Sequence, residues 1–332
     1  MGILDRLATV LAWLGRHGTV AVAISMFVGI AVLPLGALLR PYFPETVIGL
    51  LVLAFLRVDP AGLLAQLSRP ALLATAATWT MLAVPLLVGL SLWGGGLIDA
   101  SPALLLALVL HVVAPPTFSS PALAALIGLN AAISLALLIV CIVATPLTAP
   151  TFVGLFAGGA VALSPVALGI RLALILLGAA AVAWAIRAIA GRAWVERQSQ
   201  RIDGLNVIAL FGFAIALMGN VLENALADPL LVIGLIALAT ALSLALSALT
   251  ALIFIRSGRE TAFALGHAAG SRNMGLMLAA SAGQVPELVW LYVALAQFPI
   301  YLLPLLYKPM ARRLGLGQDG AENGQRTGRI SR

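Results

Sequence analysis

From residue 18 to residue 307 the chain is a run of apolar stretches parted by short polar turns, and no Asp or Glu lies inside any stretch. Hydrocarbon admits only segments that close their own backbone hydrogen bonds, which for stretches of roughly 20 apolar residues means helices. Ten spans are read, at about 18–38, 44–57, 71–93, 103–127, 129–154, 164–190, 203–222, 229–255, 260–282 and 286–307. With 62% hydrophobic and 9% charged residues, an ordinary soluble domain is excluded. The expectation is an all-α polytopic membrane protein with ten transmembrane helices.

The basic residues orient it. Arg6, Arg16, Arg57, Arg69, Arg187, Arg192, Arg197, Arg201, Arg256, Arg259, Lys308, Arg312 and Arg313 fall on one side when the N-terminus is placed in the cytoplasm. Arg40 alone lies in a loop on the other side, where Glu45, Asp99, Glu223, Asp228 and Glu287 gather; Arg171 sits near the outer end of the sixth span. This positive-inside bias predicts both termini in the cytoplasm and an inner-membrane location in a bacterium. The formal net charge of +7 is therefore read as topology, with the lipid bilayer and not nucleic acid as partner. Residues 1–17, which carry Asp5 and no small-residue cleavage site, are expected as an amphipathic cytoplasmic lead-in rather than a signal peptide. Residues 311–332, rich in Arg, Gly and Gln, are expected to be a disordered tail.

Five spans per half enter the membrane from opposite sides, so residues 18–158 and 159–310 are expected to form a 5+5 inverted repeat. The fourth span reads His111-Val112-Val113-Ala114-Pro115-Pro116-Thr117, and the ninth His267-Ala268-Ala269-Gly270-Ser271-Arg272-Asn273. Each has a His, a small residue three later, and then a break. Pro115 and Pro116 lack amide protons and disfavour a continuing helix. Ser119-Ser120-Pro121 reads as a fresh helix start with Ser at the N-cap and Pro next, and a second short helix is expected from about Asn273. Spans 4 and 9 are thus expected to be discontinuous and to meet near the midplane, with Pro115, Pro116 and Gly270 as the breaking residues. An Arg at that depth costs at least about 2.5–3.5 kcal/mol, which makes Arg272 a functional candidate. Half-helix N-termini carry roughly +0.5 charge each and favour anions. Arg272, Asn273, Ser271, Thr117, Ser119 and Ser120 are accordingly expected to bind a small organic anion. Arg272→Gln is expected to impair that binding more than folding.

No intramembrane carboxylate is present to coordinate sodium or relay protons, so His111 and His267 are the remaining conventional titratable groups at depth, as a polar network or a proton path. H-E-x-x-H, G-x-S-x-G and Walker patterns are missing, as is a Cys/His cluster, and the single Cys141 reads as a buried hydrophobe. No enzyme activity, catalytic residue, cofactor or metal beyond Na⁺ is expected. Trp290, Tyr292, Tyr301 and Tyr307 read as interface or packing aromatics.

The ten-span plan with breaks in spans 4 and 9 resembles the bile acid:sodium symporter family of the bile/arsenite/riboflavin transporter superfamily. Gly270-Ser271-Arg272-Asn273-Met274-Gly275-Leu276 is similar to that family's G-x-Q-N-x-x-L crossover. Pro116-Thr117-Phe118-Ser119-Ser120 stands at its G-G-T-x-S-N step and is also similar to the crossover of auxin efflux carriers. The resemblance implies a core of spans 3–5 and 8–10, a panel of spans 1, 2, 6 and 7, and substrate between them. It places Ser119, Ser120 and Ser134 at a residual sodium site. It also puts Ala268 at the family's sodium-binding Glu, Arg272 at its crossover Gln, Leu138 at a Thr and Thr80 at a span-three Gln. Arg272 would then be a built-in cation, and classical two-sodium coupling would be lost. The function expected is a secondary transporter of a small organic anion by alternating access. The alternative is a sodium-coupled symporter with a reduced sodium site; a membrane-embedded enzyme or a sensor fits less well.

Overall fold

The computed structural model describes residues 27–31, 33–58, 69–96, 101–158 and 163–313. The expected lead-in, the first part of the first span and the tail beyond residue 313 lie outside the described residues. All the regular elements described are helical. Helix α1 (Leu33–Leu39) joins α2 (Phe43–Arg57) through a 3₁₀ turn at Arg40–Tyr42 that holds Pro41. Next come α3 (Pro70–Gly94), α4 (Pro102–Val113), α5 (Ser120–Ile127) and α6 (Ala131–Ala157). The second half runs through α7 (Pro165–Ala190), the short α8 (Arg192–Arg197), α9 (Ser199–Met218), α10 (Val221–Ala227) and α11 (Pro229–Ile253). It ends with α12 (Arg259–Gly270), α13 (Met274–Ala280), α14 (Glu287–Leu295) and α15 (Gln297–Arg313).

Local chemistry sets these limits. The side chains of Ser101, Asn130, Ser164 and Asp228 each accept from an amide three residues on, and three of them are followed by Pro. Such a cap satisfies a donor the helix cannot, and Pro at the first position gives up an amide that had no partner. Gly128 closes α5 at φ +90°, a left-handed turn that a side chain would disfavour.

Among the described residues, seven helical stretches are long and apolar enough to cross a membrane: Leu35–Arg57, Pro70–Gly94, Ala131–Ala157, Pro165–Ala190, Ser199–Ala227, Pro229–Ile253 and Glu287–Pro309. Large apolar side chains stand outward along them, including Leu147, Leu174, Leu230 and Ile233. A monomeric soluble protein rarely shows such an apolar surface. The chain is an all-α polytopic integral membrane protein. By contrast α4, α5, α12 and α13 have 12, 8, 12 and 7 residues. At ~1.5 Å per residue none of the four spans a ~30 Å core alone.

Two sets of helices can be traced through the packing. In the first, α2 lies along α7 and α9, and α1 along α9. In the second, α6 contacts α3, α4, α5 and α12, while α11 contacts α12, α14 and α15. The sets meet where α6 touches α7, where α13 touches α2 and α7, and where α9 touches α14. Within the second set, α11 and α12 approach closely: a Cβ on Gly266 would stand 2.5 Å from the Ser247 carbonyl oxygen, and one on Gly270 would stand 2.5 Å from that of Ser243. Small residues four apart let two backbones approach in this way. At one end of the first set Arg57 pairs with Asp203, and Arg187 donates to the carbonyls of Leu56 and Val58, closing the C-terminus of α2.

Candidate functional site at a crossing of two broken helices

Ala114 precedes Pro115, and its backbone is extended (φ −63°, ψ 144°) as the proline ring requires. The chain stays irregular until Ser120, leaving α4 and α5 as separate pieces. In the second half, Ser271 turns extended at the end of α12, and α13 begins at Met274. The two breaks lie against each other. Pro116 and Arg272 form an antiparallel bridge in which Thr117 N donates to Ser271 O at 2.8 Å and Asn273 N donates to Pro115 O at 2.8 Å. Two interruptions that would each leave amides unpaired in hydrocarbon thus satisfy one another.

That exchange leaves carbonyls over, and Arg272 collects them. In a continuous helix Ala269 O would take the amide of Asn273, which here goes to Pro115. Ala114 O likewise loses its nearest donor, because Thr117 N goes to Ser271. A third carbonyl comes from α3. The π turn at Trp79–Ala83 sends Val84 N to Trp79 O, and the next donor available to Thr80 O would be residue 85, a proline with no amide proton. Into this space the wholly buried Arg272 side chain donates from Nε to Ala269 O at 2.6 Å and from Nη1 to Ala114 O at 2.9 Å. Nη1 and Nη2 both donate to Thr80 O at 3.3 Å. All three guanidinium nitrogens are engaged.

The electrostatics balance without a carboxylate. Ala114 and Ala269 stand at the C-terminal ends of α4 and α12, and each such end carries roughly −0.5 charge. Two ends come to about one negative charge, opposite one guanidinium. Each charge-assisted hydrogen bond is worth about 1.5–3 kcal/mol net, so three carbonyls exceed the insertion cost of the charge.

The remaining site residues separate by exposure. Ser120 and Ser134 are fully buried and hydrogen-bonded to each other at 3.0 Å. Ser119, half-buried, donates to Thr117 Oγ1 at 3.2 Å. The expected start, with Pro121 directly after the capping Ser, is therefore corrected by one residue. Helix α5 starts at Ser120 with Pro121 second, and the Ser119 side chain makes no cap bond because it turns to Thr117. Asn273 does cap α13, its Oδ1 accepting from Leu276 N at 3.1 Å. Ser271 is buried, with its Oγ 3.5 Å from His267 Nδ1. Gly270 ends α12 against α11. Aromatic rings from the first set border both half-helices: Phe55 meets Phe118 edge-on at 5.9 Å, and Phe213 lies over Gly275.

His111 is buried, with Nδ1 2.7 Å from Tyr292 OH. The Nε2 atoms of His111 and His267 and the hydroxyls of Thr80 and Ser243 are buried without a hydrogen-bond partner among the described residues. Two participants stand outside the expected site residues. Tyr292, taken as packing, is the partner of His111, and the contribution of Thr80 is a main-chain oxygen. Pro85 within the third apolar span was the available signal for the latter.

No protein-family model matches the chain, and neither does any curated protein.

Proposed function

We propose that the protein is a secondary transporter that moves a small organic anion by alternating access between the two sets of helices. The observation that carries this reading is the antiparallel crossing of the two helix breaks at Pro116 and Arg272, inside an apolar all-helical chain. Irregular backbone at membrane depth is tolerated where it is enclosed by protein or lines a pathway, and paired broken helices mark the substrate site in several transporter architectures. The reading takes the chain as ten spans in a 5+5 inverted repeat, with the first set as panel and the second as core. In it Arg272 serves as a resident cation holding the carbonyl ends together. Ser119 and Asn273, which keep some exposure, meet the anion near the N-termini of α5 and α13, with Thr117, Ser120 and Ser271 behind them. His111 and His267 are a polar network on either side of the crossing.

Proteoliposomes loaded with candidate carboxylates test this. Saturable flux that persists when Na⁺ is replaced by choline is the expected result. Strictly Na⁺-dependent flux would favour the alternative, a symporter with a reduced sodium site at Ser119, Ser120 and Ser134. Absence of flux for every anion under every gradient would end the reading.

A further inference from the structure

The two arginines that depart from the cytoplasmic bias, Arg40 and Arg171, are not used by the crossing, and both reach from the first set of helices to the second. Arg40, between α1 and α2, pairs with Glu287 at the start of α14 at 2.6 Å, and its guanidinium lies 4.3 Å over the Trp290 ring. Asn220, just past α9, donates to the other Glu287 oxygen at 3.3 Å. Arg171 of α7 donates to Ser281 O and Gln284 Oε1, both at 3.3 Å, in the loop that leads to Glu287. Arg40 and Asn220 are themselves held side by side, since a Cβ on Gly219 would stand 2.9 Å from Gly36 Cα. At the opposite end, Arg57–Asp203 and the bonds of Arg187 stay within α2, α7 and α9.

We propose that Arg40, Arg171 and Asn220 latch the two sets together at the Glu287 end, and that this latch opens whenever the cleft at that end opens. The proposal rests on the alternating-access reading. Its chemistry suits a contact that must break repeatedly. Glu287 is 69% exposed, so the ion pair competes with water and holds the sets together only weakly. Strength is supplied by the combination of ion pair, cation–π contact and amide bond around one carboxylate. The two arginines thus each find an acceptor across the seam, a carboxylate for Arg40 and two neutral oxygens of the 281–284 loop for Arg171.

Ala216, nearly buried, lines the small cleft beside Arg40 and Trp290 and reports on opening. In a Cys141→Ala background reconstituted in nanodiscs, the rate at which a hydrophilic maleimide labels Ala216→Cys measures it. Glu287→Gln or Arg40→Gln is expected to raise that rate about two- to fivefold, because labelling follows the open population. The charge exchange Arg40→Glu with Glu287→Arg is expected to return it towards the parent value. Unchanged labelling in both single variants, or a charge exchange that labels as fast as they do, overturns the latch. Labelling needs no substrate, so raised labelling without flux would sink the transport reading and leave the latch standing. Flux with unchanged labelling would do the reverse.

Discussion

Replacing Arg272 by Gln removes the guanidinium and leaves the main-chain bridge to Pro116 in place. The carboxamide has two N–H donors and no charge, against three carbonyls at Thr80, Ala114 and Ala269. At least one carbonyl is left buried without a donor, which costs about 1–3 kcal/mol. The α4 and α12 ends also lose their counter-charge, at up to ~1 kcal/mol each. The total comes to about 1–5 kcal/mol, and removal of one partner of a buried charged network falls at the upper end of that range. At roughly 2 °C per kcal/mol for a chain of this size, the midpoint of thermal unfolding in detergent should fall by about 2–10 °C. Arg272→Lys keeps the charge but not the planar fork, and should lose about half as much. If the resident-cation account holds, Na⁺ relative to choline should raise the midpoint of Arg272→Gln and not that of the parent. A midpoint for Arg272→Gln within about 1 °C of the parent would refute the reasoning. The enclosed guanidinium thus moves the first expectation for this variant from anion binding to folding.

Three further variants probe other parts of the argument. Gly270→Ala would drive a methyl into Ser243 O and Ser247 Oγ, so it should cost about 1–3 kcal/mol despite the higher helix propensity of Ala, read as a lower unfolding midpoint. Gly178→Ala, where a Cβ meets open space in α7, should instead be neutral or stabilise by up to ~1 kcal/mol in the same assay. Tyr292→Phe removes the hydroxyl 2.7 Å from His111 Nδ1 and should cost about 1–2 kcal/mol; an unshifted midpoint would show that the bond contributes nothing.

The breaks themselves were legible because their causes are local. Pro115-Pro116 and Gly270-Ser271 announce an interrupted helix whatever surrounds them, and Asn273 is an ordinary cap. The apolar runs were equally plain, since a span needs only length and composition. What surrounds Arg272 was not legible, because its acceptors are main-chain oxygens and no residue type encodes a carbonyl. Thr80 O is free only because Val84 N bonds one residue further back and Pro85 has nothing to donate, a coincidence of two elements of backbone geometry. Likewise the His111–Tyr292 bond joins residues 181 apart, and nothing in either neighbourhood names the other. The pattern predicts a cap directly before Pro121, but α5 begins one residue earlier and the Ser119 side chain turns to the Thr117 hydroxyl.

The Pro116–Arg272 bridge also has a consequence for how the chain is made. The 156 positions that separate its two residues mean that α4 and α5 are made long before α12 and α13 exist. At ~5–20 residues per second, roughly 8–30 s of synthesis must pass with the Pro115 and Ala114 carbonyls and the Thr117 amide still waiting for partners. During that interval the first half is a fragment with an open seam at membrane depth. Water, lipid headgroups or an insertion factor must cover it until residues 271–273 emerge.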